Sequence, residues 1–356
     1  MEKQLMRGLR KETRAPGPFV LHDDLPIPEI GDDDVLIRVR CTALCGTDIH
    51  IMDWDDWSKL HTAPPVTPGH ETAGDIVAVG RNVTDRRVGD RVSCESHIAC
   101  GSCWFCKNGL AHICRDLELF GCSVDGAFAE YARIPARATY LLPDDISYEA
   151  ACMFEPMGAG VHGAEAAQPE GKTVVVFGCG PIGLTAVSAC KTFGAKTVIA
   201  ADLLDERLEN ARKMGADHAF NSESCDLVRE VLGMTDGIGA DAVIDVTGAP
   251  AAIHSAFRCV RAAGRVVSVG LPGKPIELDL TNEIAYREVV YTGVSGRRIW
   301  QTWENFAKVL SGPYYQLDCV MGGRYALEDF DRAVEDFRRG IPGKKLIYPR
   351  AEDMPR

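Results

Sequence analysis

The sequence predicts an α/β chain in two parts, a β-rich N-terminal region followed by a doubly wound parallel sheet. Three observations carry the prediction. Up to residue 155, short alternating strands are separated by Gly- and Pro-rich turns. After Pro156, continuous apolar strands alternate with helical stretches, the pattern of a parallel sheet covered on both faces. The length, 356 residues, suits two domains of ordinary size better than one large core.

The elements follow in order. Val35–Cys41 alternates apolar and polar residues as a half-buried strand does, and Gly74–Gly80 and Asp90–Cys94 supply further strands. Pro64, Pro65, Pro68 and Gly69 mark a loop. Lys172–Gly178 is an uninterrupted apolar run, followed by a helix over Pro181–Phe193 and a strand at Thr197–Asp202. A helix over Asp205–Met214, with Asp205 as N-cap, comes next. Strands at Asp241–Val246 and Gly264–Gly270 flank a helix over Ala251–Arg261. Beyond 295 come amphipathic helices over Trp300–Leu310 and Leu327–Arg339, then a strand at Lys345–Tyr348. This last segment is expected to return to the first domain, giving domains at 1–155 and 156–295 with a returning tail at 296–356.

Gly178-Cys179-Gly180-Pro181-Ile182-Gly183 matches G-x-G-x-x-G, follows an apolar strand and opens a helix. Asp202 closes the next strand, so the pattern stands in the context that a dinucleotide fingerprint requires. Pyrophosphate is expected at the helix N-terminus, beside Pro181 and Ile182. The Asp202 carboxylate is placed to accept bonds from the adenosine ribose and to repel a 2′-phosphate, which favours NAD over NADP. Arg207 can meet a 2′-phosphate but lies a turn further on, behind Asp202.

Cys100, Cys103, Cys106 and Cys114 form two Cys-x-x-Cys steps and a fourth thiol, with Gly101 and Gly109 for tight turns. Four thiolates fill a tetrahedral zinc sphere, so a metal here braces structure and has no open position. The gaps do not match ferredoxin runs. The remaining thiols among the 14 cysteines are scattered, and the N-terminus has no apolar export segment, which together suggest a reducing cytoplasm. No apolar run approaches a membrane span. A net charge of −12 argues against nucleic acid as partner, since phosphate binding needs clustered Lys and Arg.

A second metal pattern pairs Cys45-Gly46-Thr47-Asp48-Ile49-His50, just after a strand, with Gly69-His70-Glu71 after the Pro-rich loop. Each half alone reads as a buried thiol or a bonded loop histidine. Beside a four-thiolate lobe and a dinucleotide fold they fit a catalytic zinc with one open position. With these motifs the chain resembles the zinc-containing medium-chain dehydrogenases from end to end. Within that family it is most similar to the threonine dehydrogenase branch, through Cys45–His50 with Trp54 and Trp57, His97–Cys100, and Trp300-Gln301-Thr302-Trp303.

The resemblance implies a GroES-like catalytic domain plus a Rossmann domain. It implies Cys45, His70 and Glu71 as zinc ligands, and Glu155 as an acidic residue that ligates directly or through water. Thr47 and His50 match a proton relay, and His97 matches a histidine near substrate. The implied reaction is zinc- and NAD-dependent oxidation of a small secondary alcohol, first L-threonine to 2-amino-3-ketobutyrate, by a homo-oligomer, in the family a tetramer. The chain departs from that branch at Ala159-Gly160 and at Ser295-Gly296-Arg297-Arg298, which keeps a polyol, diol, sugar or cyclitol as the alternative substrate. A non-catalytic NAD-binding protein is the last alternative, and it requires the Cys45–His70 site to hold no metal.

Overall fold

The computed structural model describes residues 4–355. Met1, Glu2 and Lys3, on which the reading of the N-terminus partly rests, lie outside the described residues. The chain folds into two compact units, one of residues 1–156 and 321–356, the other of residues 157–320.

The first unit is built on a seven-stranded sheet centred on a long strand, Asp34–Leu44. Its alternating burial keeps Val35, Ile37, Val39 and Cys41 wholly inside. This strand pairs antiparallel with Glu71–Val79, Ala43 facing Glu71 across the ladder. On its other side it pairs with Lys344–Tyr348 near the C-terminus, Leu346 also facing Ala43. The register therefore brings Glu71 and Lys344 to opposite flanks of one strand end. A helix, Gly46–Asp53, follows the central strand directly, and Cys45 is its N-cap.

The second unit holds a six-stranded sheet, every strand parallel to its neighbours. Across the sheet run His218–Asn221, Thr197–Asp202, Thr173–Phe177, Ala240–Asp245, Val260–Ser268 and Val290–Gly293. Numbered along the chain, that order is 3-2-1-4-5-6, the doubly wound arrangement with its switch point beside the first strand. Val175, Ile199, Val243, Ile253 and Phe257 form part of its dry core. The α/β class expected from the sequence is thus what the structure has.

Two local expectations change. Residues 296–320, grouped by sequence with the returning tail, lie in the second unit. Their helix, Gln301–Leu310, buries Trp303, Phe306 and Val309. Thr302 Oγ1 and Asn305 Nδ2 of that helix donate to the Glu165 carboxylate at 2.9 and 2.7 Å. Asp205 is not an N-cap: Leu204 holds that place, and Asp205 accepts from Asn221 Nδ2 at 2.8 Å instead. The turn is closed by Asp202, whose Oδ1 accepts from the amides of Leu203 and Leu204.

Candidate metal and dinucleotide sites

In the first unit, donor atoms of Cys45, His70 and Glu71 lie within 4.8 Å of one another. His70 ends the Pro-rich loop and Glu71 starts the strand, so consecutive residues supply two donors, while the N-cap of the adjoining helix supplies the third. Glu71 is fully buried and His70 nearly so. Glu71 Oε2, His70 Nδ1 and Asp48 Oδ1 are all buried without a hydrogen-bond partner. His70 Nδ1 and Asp48 Oδ1 face each other at 3.9 Å, beyond hydrogen-bond reach, and unsatisfied atoms beside a thiol and two carboxylates are costly unless a cation joins the cluster. The donor set is that of a zinc centre with a position to spare, so these residues fit the metal.

The electrostatics point the same way. Burial would raise the Cys45 thiol, but the charges of Lys344 and His70 draw it down to about 6. Burial would lower His70, yet the Cys45 thiolate, Asp48 and Glu155 push it well above its ordinary value. Burial lifts Asp48 to about 6. Burial also pushes Glu71 upward, against the pull of the Lys344 ammonium. A bound dication reverses the protonation of such a cluster, favouring thiolate, carboxylate and neutral imidazole.

Glu155 stands outside the trio. It lies in the first turn of the helix Phe154–Ala167, and its Oε1 accepts a hydrogen bond from Ser96 Oγ. Thr47 Oγ1 lies 3.6 Å from Cys45 Sγ. His50 is largely exposed and its Nδ1 is 2.6 Å from Asp55 Oδ2. The half-buried His97 is held beside the cysteine lobe, its Nδ1 3.1 Å from the His112 carbonyl.

Three participants escaped the sequence reading. Asp48 Oδ2 accepts from the Cys45 amide at 2.8 Å and so fixes the ligand-bearing turn. An acid three residues after an N-cap is a recognisable capping signal and could have found it. Lys344 Nζ lies 2.5 Å from Glu71 Oε1, and only the fold joins residues so far apart. Ser96, the partner of Glu155, carried no signal at all.

In the cysteine lobe all four sulfurs also lie within 4.8 Å of one another. Measured separations are 3.9 Å for Cys100–Cys106, 3.5 Å for Cys103–Cys106 and 3.7 Å for Cys103–Cys114. Four sulfurs about 2.3 Å from a tetrahedral zinc stand about 3.8 Å apart, so the cage has the size the ion needs. The Ser102 hydroxyl and the amides of Ser102 and Cys103 donate to Cys100 and draw its thiol down to about 6.

In the second unit, a cavity of about 610 Å³ is lined by Gly178, Gly180, Pro181, Gly183, Asp202 and Arg207 among others. The three glycines have separate reasons. A Cβ on Gly183 would stand 1.8 Å from the Gly178 carbonyl oxygen, and Gly178 itself has φ +91°. A Cβ on Gly180, by contrast, would meet nothing within 4 Å, which leaves that face open for a ligand. Gly180 caps the helix Pro181–Thr192, with Pro181 in its first turn. Asp202 Oδ2 accepts from the Cys179 amide at 2.6 Å, which orients the carboxylate at the mouth of the turn. Arg207 lies 3.7 Å from it and lines the same cavity.

A donor cluster of this make-up with a dinucleotide cradle on a doubly wound sheet defines a zinc-dependent dehydrogenase. Residues 31–144 match the alcohol dehydrogenase GroES-like domain, and residues 181–312 match the zinc-binding dehydrogenase domain. The chain belongs to this family of zinc-binding alcohol dehydrogenases.

Among particular proteins, it is 41% identical over 347 residues to the L-threonine 3-dehydrogenase of Symbiobacterium thermophilum, covering 97% of this chain and 98% of that one. It is 37% identical to that of Bacillus subtilis, covering 98% and 100%. In structure it resembles galactitol-1-phosphate dehydrogenase from Escherichia coli, with TM-score 0.88 at 29% identity over 97% of this chain and 100% of that one. It also resembles a zinc-binding dehydrogenase from Sinorhizobium meliloti bound to NADP, with TM-score 0.86 at 28% identity over 98% and 100%.

Proposed function

We propose that this chain oxidises L-threonine to 2-amino-3-ketobutyrate, with NAD as hydride acceptor. The observation that carries the reading is the buried cluster of Cys45, His70 and Glu71 in a chain 41% identical, over 97% of its length, to an L-threonine 3-dehydrogenase.

In this reading Cys45, His70 and Glu71 hold a catalytic zinc, and Cys100, Cys103, Cys106 and Cys114 hold a structural one. Zinc at the first site supplies Lewis acidity that lowers the pKa of an alcohol placed in its open position. Glu155, whose Oε1 accepts from Ser96 Oγ, is a carboxylate in reserve. Thr47 takes the proton leaving the substrate hydroxyl and His50 passes it to solvent, consistent with the exposure of the ring. His97 serves substrate recognition beside the lobe. The Gly178–Gly183 turn seats the pyrophosphate, and Asp202 takes the ribose and disfavours a 2′-phosphate. Asp202 Oδ1 accepts from two amides and Oδ2 from one, which leaves Oδ2 a lone pair for a ribose hydroxyl.

The GroES-like domain of the first unit carries catalysis, and the Rossmann domain of the second carries the dinucleotide. A homo-tetramer in the cytoplasm completes the reading. Fourteen free cysteines support a reducing compartment, and no helix among the described residues is long and apolar enough to cross a membrane.

A second reading, oxidation of a polyol or diol, has its own support. The chain shares its fold with galactitol-1-phosphate dehydrogenase and with 2R,3R-butanediol dehydrogenase from Bacillus subtilis. At one departure from the threonine branch, Gly160, a Cβ would come within 2.3 Å of the Ile182 carbonyl oxygen, so no polar side chain fits.

NADH formation by zinc-loaded protein with L-threonine, 2,3-butanediol, sorbitol and myo-inositol separates the two readings. Preference for L-threonine is expected. Turnover of a polyol with none of threonine would keep the chemistry and overturn the substrate.

A further inference from the structure

His50 does not stand alone on its exposed surface. It lies in the last turn of the helix Gly46–Asp53, whose C-cap Trp54 takes a left-handed conformation, φ +52°. That turn folds the chain back and brings Asp55 onto the imidazole. Trp54 is itself nearly buried, with Lys11 Nζ 5.8 Å from its ring centre. The two oxygens of Asp55 have different partners. Oδ1 accepts from the Ser58 amide at 2.9 Å and from Ser58 Oγ at 3.0 Å, capping the helix Asp56–His61. Oδ2 faces His50 Nδ1 at 2.6 Å.

We propose that Asp55 is a positioning residue, which holds His50 in the tautomer protonated at Nδ1 so that Nε2 stays free to accept the substrate's proton. The proposal rests on the relay reading of Thr47 and His50 given above.

The chemistry is that of a one-way contact. An ionised carboxylate only accepts, so the imidazole nitrogen facing it must carry hydrogen, and in a neutral ring the other nitrogen is then an acceptor. Ionisation is favoured here: burial works against it, but the Ser58 amide, the Ser58 hydroxyl and His50 together hold the Asp55 carboxyl below its ordinary range. Free histidine prefers the opposite tautomer, with hydrogen on Nε2, which would present a donor to an incoming proton.

In the relay, the proton leaving the substrate hydroxyl goes to Thr47 Oγ1, and the Thr47 proton goes to His50 Nε2. The imidazolium then releases that proton to water, and Asp55 stays ionised throughout. Capping by Oδ1 makes the arrangement rigid: the carboxylate cannot rotate toward His50 in another way without losing Ser58.

Asp55→Asn tests this cleanly. Asn caps a helix about as well as Asp, so Oδ1 can keep Ser58 while an NH2 group replaces the acceptor at His50. Nitrogen-15 NMR of the imidazole reads the tautomer directly, with or without turnover. The wild type should be protonated at Nδ1, and Asp55→Asn should move the ring to the Nε2 form. Turnover should fall about a hundredfold, the lower end of what a general acid–base step contributes, and added imidazole should restore part of it. Asp55→Ser, a second good cap, should lose turnover likewise, while Ser58→Ala should leave the tautomer as it is.

An Nε2 form in the wild type, an unchanged tautomer in Asp55→Asn, or full turnover in that variant would overturn the proposal. His50→Gln separates the two layers. If it turns over normally, the relay reading falls and this proposal with it. If it is slow while Asp55→Asn is not, only the role of Asp55 falls.

Discussion

Replacing Lys344 by Met removes the ammonium seated against the buried Glu71 carboxylate. Lys344 Nζ is 2.5 Å from Glu71 Oε1, and the two side chains are 12% and 0% exposed. At a pH high enough to ionise Glu71, breaking one partner of the buried pair costs about 3–5 kcal/mol, because the other charge is left in a dry site. Spread over a first unit of just under two hundred residues, that loss lowers the melting temperature of metal-free protein on the order of 10 °C.

Two further consequences follow from the same charge. Zinc restores part of the loss, so metal should raise the melting temperature more in Lys344→Met than in the wild type. Without the lysine, burial pushes the Glu71 carboxyl still further up. A raised carboxyl means the folded state binds the extra proton, so stability falls as pH rises. The deficit should therefore be larger at pH 8 than at pH 6, where Glu71 is more protonated. Differential scanning calorimetry of both proteins, with and without zinc at each pH, reads all three effects. Glu71→Gln in the Lys344→Met background should recover most of the loss. A Lys344→Met protein that melts within about 2 °C of the wild type, with no benefit from the second change, would refute the reasoning.

Other outcomes follow from the remaining site geometry. Gly183→Ala places a methyl 1.8 Å from the Gly178 carbonyl, so the turn should shift and NADH fluorescence titration should show binding lost. Gly180→Ala has open space on the same side, so the melting temperature should hold while NADH affinity drops about tenfold or more. Asp202→Asn turns one acceptor face into a donor against the Cys179 amide, so KM for NAD should rise and the ratio of NADP to NAD use should increase. Cys103→Ser opens the four-sulfur cage, and thermal melts should show a clear loss of stability with the dinucleotide site still able to bind NADH.

The parts legible in the sequence were those whose signal is local. A fingerprint spans six residues, four thiols span fifteen, and an apolar strand followed by a helix declares its own period. His70 and Glu71 are adjacent, and Cys45 is the N-cap of the helix that follows its strand, so the trio could be proposed from two short segments. What stayed hidden depends on sheet register. Lys344 meets Glu71 only because Leu346 and Glu71 both pair with Ala43 from opposite sides. The boundary near 296 misread a helix whose apolar face, through Trp303 and Phe306, fits either domain by pattern and is assigned by packing. Asp205 resembles a cap by residue type alone. The true closure comes from Asp202, already singled out for a different duty.

The most direct test of the central claim, that Cys45, His70 and Glu71 hold a zinc used in catalysis, is metal content by mass spectrometry on the wild type and on Cys45→Ser. The account predicts two zinc ions per chain in the wild type and one in Cys45→Ser, with NADH formation from L-threonine abolished in the variant. A single zinc in both proteins would contradict it, leaving the trio a buried polar cluster and the chain a dinucleotide binder braced by its cysteine lobe.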